Sequence, residues 1–272
     1  MQNSRRKIRY RTSTGGELYM KLRFLGTGTS TGNPEIGCRC EVCTSSDLRD
    51  WRFRASALVE IGGKRILIDC GPDFRMQILK VLETDYFTEL DGVLLTHEHY
   101  DHVGGLDDLR AFCRNGALQV YAENNVAEAI RSRLSYVFEK HKYPGIPNLS
   151  MIPVTNQPFF VSEIKIIPIR LMHGNLPILG YRIDNYAYLT DLKTIPEEEF
   201  EKLKDLDVLV INALRIKEHI AHENLQQALQ NIKKINPRRA YLTHLSHQFG
   251  LHSVMEQILP ENVFIAYDGL VI

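Results

Sequence analysis

The run HEHYDH at 97–102 places three imidazoles and one carboxylate within six positions, directly after the apolar stretch 92–96. Imidazole and carboxylate are ligands that suit zinc, manganese and iron. Four such groups exceed what one metal with an open coordination position takes from a single loop. The run therefore predicts two neighbouring metals that activate water against an ester-type bond. The chain has only ten histidines in 272 residues, so a histidine-rich polar turn is the weaker interpretation.

Three more potential ligands follow predicted strands elsewhere in the chain. His173 comes after 164–170, Asp191 after 186–190 and His244 after 239–243. Strand ends on one rim of a sandwich converge on a common cleft although they are far apart in sequence. One such residue alone is usually a turn residue, whereas three beside the run at 97–102 predict a shared site.

The elements that must position these residues alternate in groups. Short β-branched runs bounded by Gly, Asn, Asp or Pro predict strands at 21–25, 56–61, 65–69, 92–96, 118–121, 164–169, 180–183, 187–190, 208–211, 240–243 and 263–267. Helical periodicity covers 74–82, 106–113, 126–140, 196–204, 223–235 and 254–259. Gly62-Gly63 predicts a hairpin between two strands. Grouped strands with helices between the groups favour an α/β (α+β) fold of two packed sheets over a doubly wound sheet.

Length and composition suit one domain over residues 20–272, preceded by a basic extension at 1–19. The formal net charge is zero, which argues against a nucleic acid partner. The basic start is expected to be solvated, with an arm for nucleic acid or membrane as the alternative. No apolar stretch follows it as in a secretory signal, and none elsewhere is long enough for a membrane span. These features predict a cytoplasmic protein without a membrane partner.

Three of the five cysteines, Cys38, Cys40 and Cys43, are too closely spaced for a secreted disulfide framework. They are interpreted as thiolate ligands of a structural zinc, which requires a fourth ligand. His247 can supply it, since it lies three residues after His244 and can face the other way. His252 is the alternative fourth ligand. Free thiols or an iron–sulfur cluster are the competing interpretations, although no fourth cysteine is evident for a cluster.

The pattern H-x-H-x-D-H after an apolar strand, with His, Asp and His at distant strand ends, resembles the metallo-β-lactamase superfamily from residue 20 onward. That resemblance implies a four-layer αββα sandwich with a two-metal site at one edge. FLGTGTS at 24–30, IGCRCEVC at 36–43, GLDDLR at 105–110 and ALR at 213–215 are similar to one branch of the superfamily. This branch contains the phosphoribosyl 1,2-cyclic phosphate phosphodiesterase. The likeness also implies a homodimer.

The resemblance divides the seven candidate ligands between two metals and one bridging position. The first metal receives His97, His99 and His173, the second receives Asp101, His102 and His244, and Asp191 bridges both. A carboxylate between two cations screens their repulsion, and water held there is deprotonated near neutral pH. The active-site metals are expected to be zinc or manganese, with iron as a further option.

Three residues are assigned supporting roles. Asp69 is expected to accept the outer N–H of a ligating histidine, with capping of its own turn as the alternative. The branch resemblance implies that His222 is the general acid or a phosphate contact, and His219 is the second candidate. In this chain Ile220-Ala221 replaces the Pro-Thr or Pro-Ser of the branch. The alternative is that either histidine caps a helix from 223. Asp101 is expected to share in proton handling.

The predicted activity is hydrolysis of a small or cyclic phosphodiester by a metal-activated hydroxide. One alternative is a nuclease of the tRNA 3′-processing kind, which would need an arm rich in Gly, Pro and basic residues that this sequence does not display. A second alternative is a non-catalytic metal protein that binds a nucleotide. Retention of all seven candidate ligands argues for catalysis.

Overall fold

Two mixed sheets of seven strands each form the centre of the computed structural model, which describes residues 9–11, 17–139 and 145–272. The first sheet contains β1 (Arg9–Arg11), β2 (Glu17–Gly26), β3 (Ser56–Ile61), β4 (Lys64–Ile68), β5 (Gly92–Leu94), β6 (Leu118–Ala122) and β7 (Leu149–Pro153). The second contains β8 (Phe159–Val161), β9 (Ile164–His173), β10 (Leu176–Ile183), β11 (Tyr186–Leu189), β12 (Val208–Asn212), β13 (Arg239–Thr243) and β14 (Val263–Ile265).

Both sheets follow one pairing pattern along the chain. In the first sheet, neighbours from β1 to β4 are antiparallel and neighbours from β4 to β7 are parallel. In the second sheet, neighbours from β8 to β11 are antiparallel and those from β11 to β14 are parallel. β3 and β4 are joined by a two-residue hairpin turn at Gly62-Gly63. The φ values of 58° and 79° at these glycines suit such a turn.

Helices cover the outer face of each sheet. The α-helices are α1 (Phe74–Leu82), α2 (Tyr100–Val103), α3 (Asn124–Arg133), α4 (Ser135–Phe138), α5 (Leu225–Ile235) and α6 (His252–Met255). Short 3₁₀ helices occupy Leu48–Asp50, Leu106–Phe112, Glu197–Leu203, His247–Phe249 and Glu256–Ile258. In the described ranges, no helix is long and apolar enough to cross a membrane.

Three apolar cores hold these layers together. The central core lies between the sheets and includes Phe24, Tyr181 and Tyr188, all fully buried. One outer core packs α1 and its neighbours on the first sheet, and the other packs α5 on the second. An inner core with two flanking cores is the αββα arrangement, so the predicted fold class is confirmed.

Several predicted boundaries differ from the structure. The helix predicted at 126–140 is two helices that meet at Leu134, and its last residue lies outside the described ranges. The segment at 106–113 forms a 3₁₀ helix, and β1, β7, β8 and α2 were not predicted. β7 ends on Pro153 and is an edge strand, where a residue without an N–H is tolerated.

At the basic start of the chain, Arg9–Arg11 pairs antiparallel with residues 17–19. β2 thus begins at Glu17, three residues before the expected domain start. Residues 1–8 and 12–16 lie outside the described ranges.

Candidate functional site

Four of the candidate ligands, together with Asp69, lie on one rim of the sandwich because each follows or ends a strand. Asp69 follows β4, His97 follows β5, His173 ends β9, Asp191 follows β11 and His244 follows β13. At Asp69, Asp191 and His244 the backbone φ is 59°, 60° and 55°. This left-handed conformation is strained for a residue with a side chain and is found at functional sites. It turns the chain sharply at the strand end.

Asp191 lies at the centre of the cluster and is 1% exposed. Its Oδ2 is 2.6 Å from Nε2 of His102 and 3.2 Å from Nε2 of His97. Its Oδ1 is 2.6 Å from Nε2 of His244. One carboxylate therefore contacts three imidazoles, which is the placement expected of a bridging ligand.

Asp101 completes one half of the centre. Its Oδ2 lies 3.2 Å from Nε2 of His102 and 3.5 Å from Nε2 of His244. Ligand atoms of Asp101, His102, Asp191 and His244 all lie within 4.8 Å of one another, and all four residues are buried. This spacing allows one cation to contact all four.

The other half contains three imidazoles. The ring centroids of His97 and His99 are 4.5 Å apart, and the ring of His173 is 5.1 Å from His99 and 5.7 Å from His97. His97 is buried, whereas His99 is exposed. The structure therefore brings all seven candidate ligands together around Asp191.

Outer hydrogen bonds fix the orientation of the ligand rings. Nδ1 of His102 lies 2.7 Å from Oδ2 of Asp69. The Thr96 hydroxyl is 3.0 Å from the same carboxylate oxygen and 2.9 Å from Nδ1 of His97. Because the hydroxyl donates to Asp69, it accepts from Nδ1 of His97. Nδ1 of His173 donates to the carbonyl of Ala221 at 2.9 Å. These three rings thus carry the proton on the outer nitrogen and direct a lone pair of Nε2 inward, whereas Nδ1 of His244 is buried without a hydrogen-bond partner.

The inward atoms fit a divalent cation. Nε2 of His97, His102 and His244 and Oδ1 of Asp191 are buried without a hydrogen-bond partner. Lone pairs that face each other at 2.6 Å repel unless a proton or a metal lies between them. Burial lowers the pKa of His97 well below its usual value, which keeps this imidazole neutral. Against the effect of burial, Asp191 raises the pKa of His244 to about 9. The centre thus favours positive charge, as a site for metals requires.

His222 stands beside this centre and His219 stands farther out. Nδ1 of His222 is 3.6 Å from Oδ1 of Asp191, and its ring is 4.5 Å from that of His173. Burial lowers the pKa of His222 to about 3. His219 instead accepts a hydrogen bond from the amide of Ala221. Neither histidine caps a helix, because α5 is capped by Asn224 in a capping box with Gln227.

The three clustered cysteines form a second group with His247. Nδ1 of His247 lies 3.1, 3.5 and 3.4 Å from Sγ of Cys38, Cys40 and Cys43. Its Nε2 is 3.3 Å from a carboxylate oxygen of Glu35. Burial raises the pKa of Cys43 to about 12, so its thiolate needs positive charge nearby. Three sulfurs and one imidazole nitrogen are a typical ligand set for zinc.

His252, the alternative fourth ligand, lies elsewhere. It is buried, and its Nδ1 is 3.3 Å from Nη2 of Arg52. The group suited to a metal therefore contains His247.

Three contacts were not predicted from the sequence. Thr96 links Asp69 to His97, the Ala221 carbonyl orients His173, and Glu35 contacts His247. A hydroxyl just before the first histidine and a carboxylate three residues before Cys38 are weak signals that could have indicated Thr96 and Glu35. The Ala221 carbonyl could not have been indicated in this way, because every residue has a backbone carbonyl.

Comparisons with known proteins agree with this site. A family model described as "Beta-lactamase superfamily domain" matches residues 64–245, which contain all seven candidate ligands. A solved diphosphatase of the PhnP family is 36% identical, has a TM-score of 0.86, and the match covers 93% of this chain and 96% of that one.

Two curated relatives are longer than the part that matches. An octanoyltransferase of Porphyromonas gingivalis is 51% identical over 254 residues, which are 92% of this chain and 51% of the relative. A ribonuclease Z of Bacillus cereus is 30% identical over 205 residues, which are 70% of this chain and 60% of the relative. The chain thus spans about half to three fifths of these two proteins. By its family model, its fold and its near full-length match to the PhnP-family structure, the chain belongs to the metallo-β-lactamase superfamily and, within it, to the PhnP-like branch.

Proposed function

We propose that the chain is a dinuclear metal-dependent phosphodiesterase that hydrolyses a small or cyclic phosphodiester. The observation that carries this proposal is the convergence of imidazole lone pairs with the carboxylates of Asp101 and Asp191, with Nδ1 of His222 3.6 Å from Asp191. His97, His99 and His173 would hold one metal, and Asp101, His102 and His244 the other, with Asp191 shared. When bound, zinc or manganese, or alternatively iron, would polarise phosphoryl oxygens and acidify a water.

The surrounding side chains complete the reaction. A P–O bond forms to the oxygen of a water, and the P–O bond to the leaving group breaks. The proton of the water passes to Asp101 or to solvent, and the leaving oxygen takes a proton from His222. His222 is neutral in the chain alone, since burial lowers its pKa to about 3, so it must take up a proton from solvent when the substrate binds. A bound phosphodiester anion raises that pKa and so favours the proton that the leaving oxygen needs.

Two observations support a small phosphorylated substrate over other substrates. The PhnP-family relative is a diphosphatase, so a phosphoryl group is the reacting group in a close structural neighbour. The formal net charge of zero supports a small substrate over a long polyanion. The second candidate is a ribonuclease Z type of nuclease, which the relative from Bacillus cereus favours.

A turnover screen separates the two candidates. It uses an aryl phosphodiester, ribose 1,2-cyclic phosphate esters, 2′,3′- and 3′,5′-cyclic nucleotides and a tRNA precursor. We expect turnover of small diesters, and activity confined to the tRNA precursor would favour the nuclease. His222→Ala should lower kcat by about 100-fold or more on the best small diester.

We also propose that Cys38, Cys40, Cys43 and His247 hold a structural zinc. Metal analysis should then give about three ions per chain, two of them in the dinuclear centre. Replacement of His97 and His99 together should remove those two and leave the third. Fewer than two ions in the wild-type protein would contradict the dinuclear proposal.

The longer octanoyltransferase relative motivates a proposal about a partner protein. The match accounts for only about half of that protein. We propose that this chain associates with a protein like the unmatched half, in addition to the homodimer that the family resemblance favours. Co-expression with that half, followed by affinity capture and light scattering, should give a complex of defined stoichiometry. Separate elution of the two proteins would contradict the association.

A further inference from the structure

The segment from Arg215 to Asn224, here called the histidine loop, carries both His219 and His222 and contains no helix or strand. Without regular secondary structure, its position depends on contacts made by other parts of the chain. The exact position of this loop matters, because Nδ1 of His222 lies 3.6 Å from Oδ1 of Asp191 and its ring lies 4.5 Å from the ring of His173. A shift of about 1 Å in a reacting group can lower a rate by about 100-fold.

Lys193 holds the middle of the histidine loop. Its Nζ donates to the backbone carbonyl of His219 at 2.8 Å and to Oε1 of Gln227 at 3.1 Å. The same Gln227 oxygen accepts from the backbone amide of Asn224. One ammonium group therefore joins the loop to the first turn of α5, where the loop ends.

The backbone beside Lys193 holds the other side of His222. The amide of Glu223 donates to the carbonyl of Leu192 at 2.9 Å. His222 is thus placed between two attachment points, His219 and Glu223, that both contact residues 192–193. The ring of His222 can then keep a fixed distance from Asp191, which directly precedes Leu192.

Lys193 is also tied to a ligand strand. Its backbone amide donates to the carbonyl of Met172 at 2.6 Å, next to His173. His173 in turn donates to Ala221 in the histidine loop. The loop, the strand end that bears His173 and the turn that bears Asp191 therefore form one connected unit.

We propose that Lys193 is a positioning residue for His222: by holding the His219 carbonyl, it sets His222 where a leaving oxygen departs. This inference rests on the leaving-group role of His222 in the proposed function. Lys193 itself contacts neither substrate nor metal in this role. Its loss should harm reactions that need His222 and spare those that do not.

The test compares Lys193→Met with a matched control, Lys202→Met. Nζ of Lys202 also donates to one backbone carbonyl, of Pro168, and to one side-chain amide oxygen, of Asn156, but beside Glu199 and away from the histidine loop. Two diesters are used, one with an alkoxide leaving group and one with a nitrophenolate, which departs without a proton.

We expect Lys193→Met to lower kcat on the alkyl diester by about 10- to 100-fold with little change in KM, and to change nitrophenyl ester turnover by less than about 3-fold. Lys193→Arg should recover part of the loss. Metal content should equal that of the wild-type protein. Lys202→Met should lower the melting temperature without any leaving-group dependence.

A double-mutant cycle separates the possible failures. In a His222→Ala background, Lys193→Met should cost less than about 2-fold, because the two changes remove the same contribution. An equal loss on both diesters, a loss of metal, or full additivity with His222→Ala would overturn the role of Lys193. Unchanged activity of His222→Ala on the alkyl diester would instead overturn the proposed role of His222.

Discussion

Asp69 acts on the centre through two histidines without facing the cleft. It accepts from Nδ1 of His102 and from the hydroxyl of Thr96, which in turn accepts from His97. One buried carboxylate therefore fixes a ring from each half of the centre. This is a common arrangement around ligating histidines, and it raises their basicity as well as orienting them.

Replacing Asp69 by Asn should weaken metal binding by about 10- to 100-fold in both halves, because the amide supports the imidazole N–H less well. Titration of the metal-depleted protein with zinc, read by calorimetry, measures the change. Asp91→Asn serves as the control, because that carboxylate contacts Lys64 and Arg65 at the opposite end of β4 from Asp69. Equal affinity in the Asp69 variant and the wild-type protein would contradict this role.

The candidate ligands could be identified because few residue types bind metals and four such residues crowd the loop at 97–102. The groups that orient these ligands and the nearby His222 could not be predicted from the sequence. The Ala221 carbonyl that orients His173 and the ammonium of Lys193 carry no distinctive residue type, and only the fold brings them close.

At the scale of elements, the turn after β13 links the two candidate metal sites. His244 lies beside Asp191 and His247 lies with the cysteines, only three residues apart. Leu245 between them exchanges backbone hydrogen bonds with Thr27 and Thr29. If the cysteine cluster loses its ordered structure, the position of His244 should therefore change as well, because only two residues separate it from His247.

Cys40→Ser should remove the zinc of the cysteine cluster and lower phosphodiesterase activity by about 10-fold or more, because His244 loses support. Metal analysis and kcat on a small diester measure both effects. Cys113→Ser is the matched control, since that thiol donates to the Leu109 carbonyl away from both groups. Loss of the zinc with full activity would show that the two groups are independent.

Gly71 shows how closely the loops under the centre pack. A Cβ at this position would lie 2.1 Å from the carbonyl oxygen of Asp101. We expect Gly71→Ala to cost about 1–3 kcal/mol or more in unfolding free energy and to weaken the metal position of Asp101. Thermal melting and metal titration measure this. Gly63→Ala, whose Cβ meets no atom within 4 Å, should keep full metal affinity.

Among the described strands, sequence patterns missed three of the four edge strands, β1, β7 and β8, and found the fourth, β14. β8 has three residues and lies at the edge of the second sheet, so its pairing depends on β9 and little on its own composition. The αββα arrangement itself followed from the grouping of strands and from the family resemblance.

Over the whole molecule, the C-terminal segment closes the first sheet. Leu22 and Ile272 exchange backbone hydrogen bonds, and Asp268 accepts from the Thr27 hydroxyl and the Phe53 amide. Burial raises the pKa of Asp268 to about 6. Between pH 4 and pH 6 the unfolded chain therefore loses this proton while the folded chain keeps it.

The contribution of Asp268 to the free energy of unfolding should fall by about 2 kcal/mol as pH rises from 4 to 6. Because acid also releases metals, the measured quantity is the difference between wild-type protein and Asp268→Asn in urea unfolding at each pH. A difference that is flat across this range, or that rises with pH, would contradict the buried, protonated state.

The shared pairing order of the sheets places Asp69 and Asp191 at equivalent points, each after the strand where antiparallel pairing changes to parallel. The centre is therefore built from matching positions in the two sheets.

The left-handed backbone conformation at Asp69, Asp191 and His244 restricts which amino acids can replace these three residues. Glycine, asparagine, aspartate and histidine tolerate that conformation, whereas glutamate and most other ligands do not. In a library randomised at these three codons, the variants that still fold should carry mainly those four amino acids. Redesign towards another metal is then easier at His99, which is exposed and has an extended backbone, than at the positions that bend the strands.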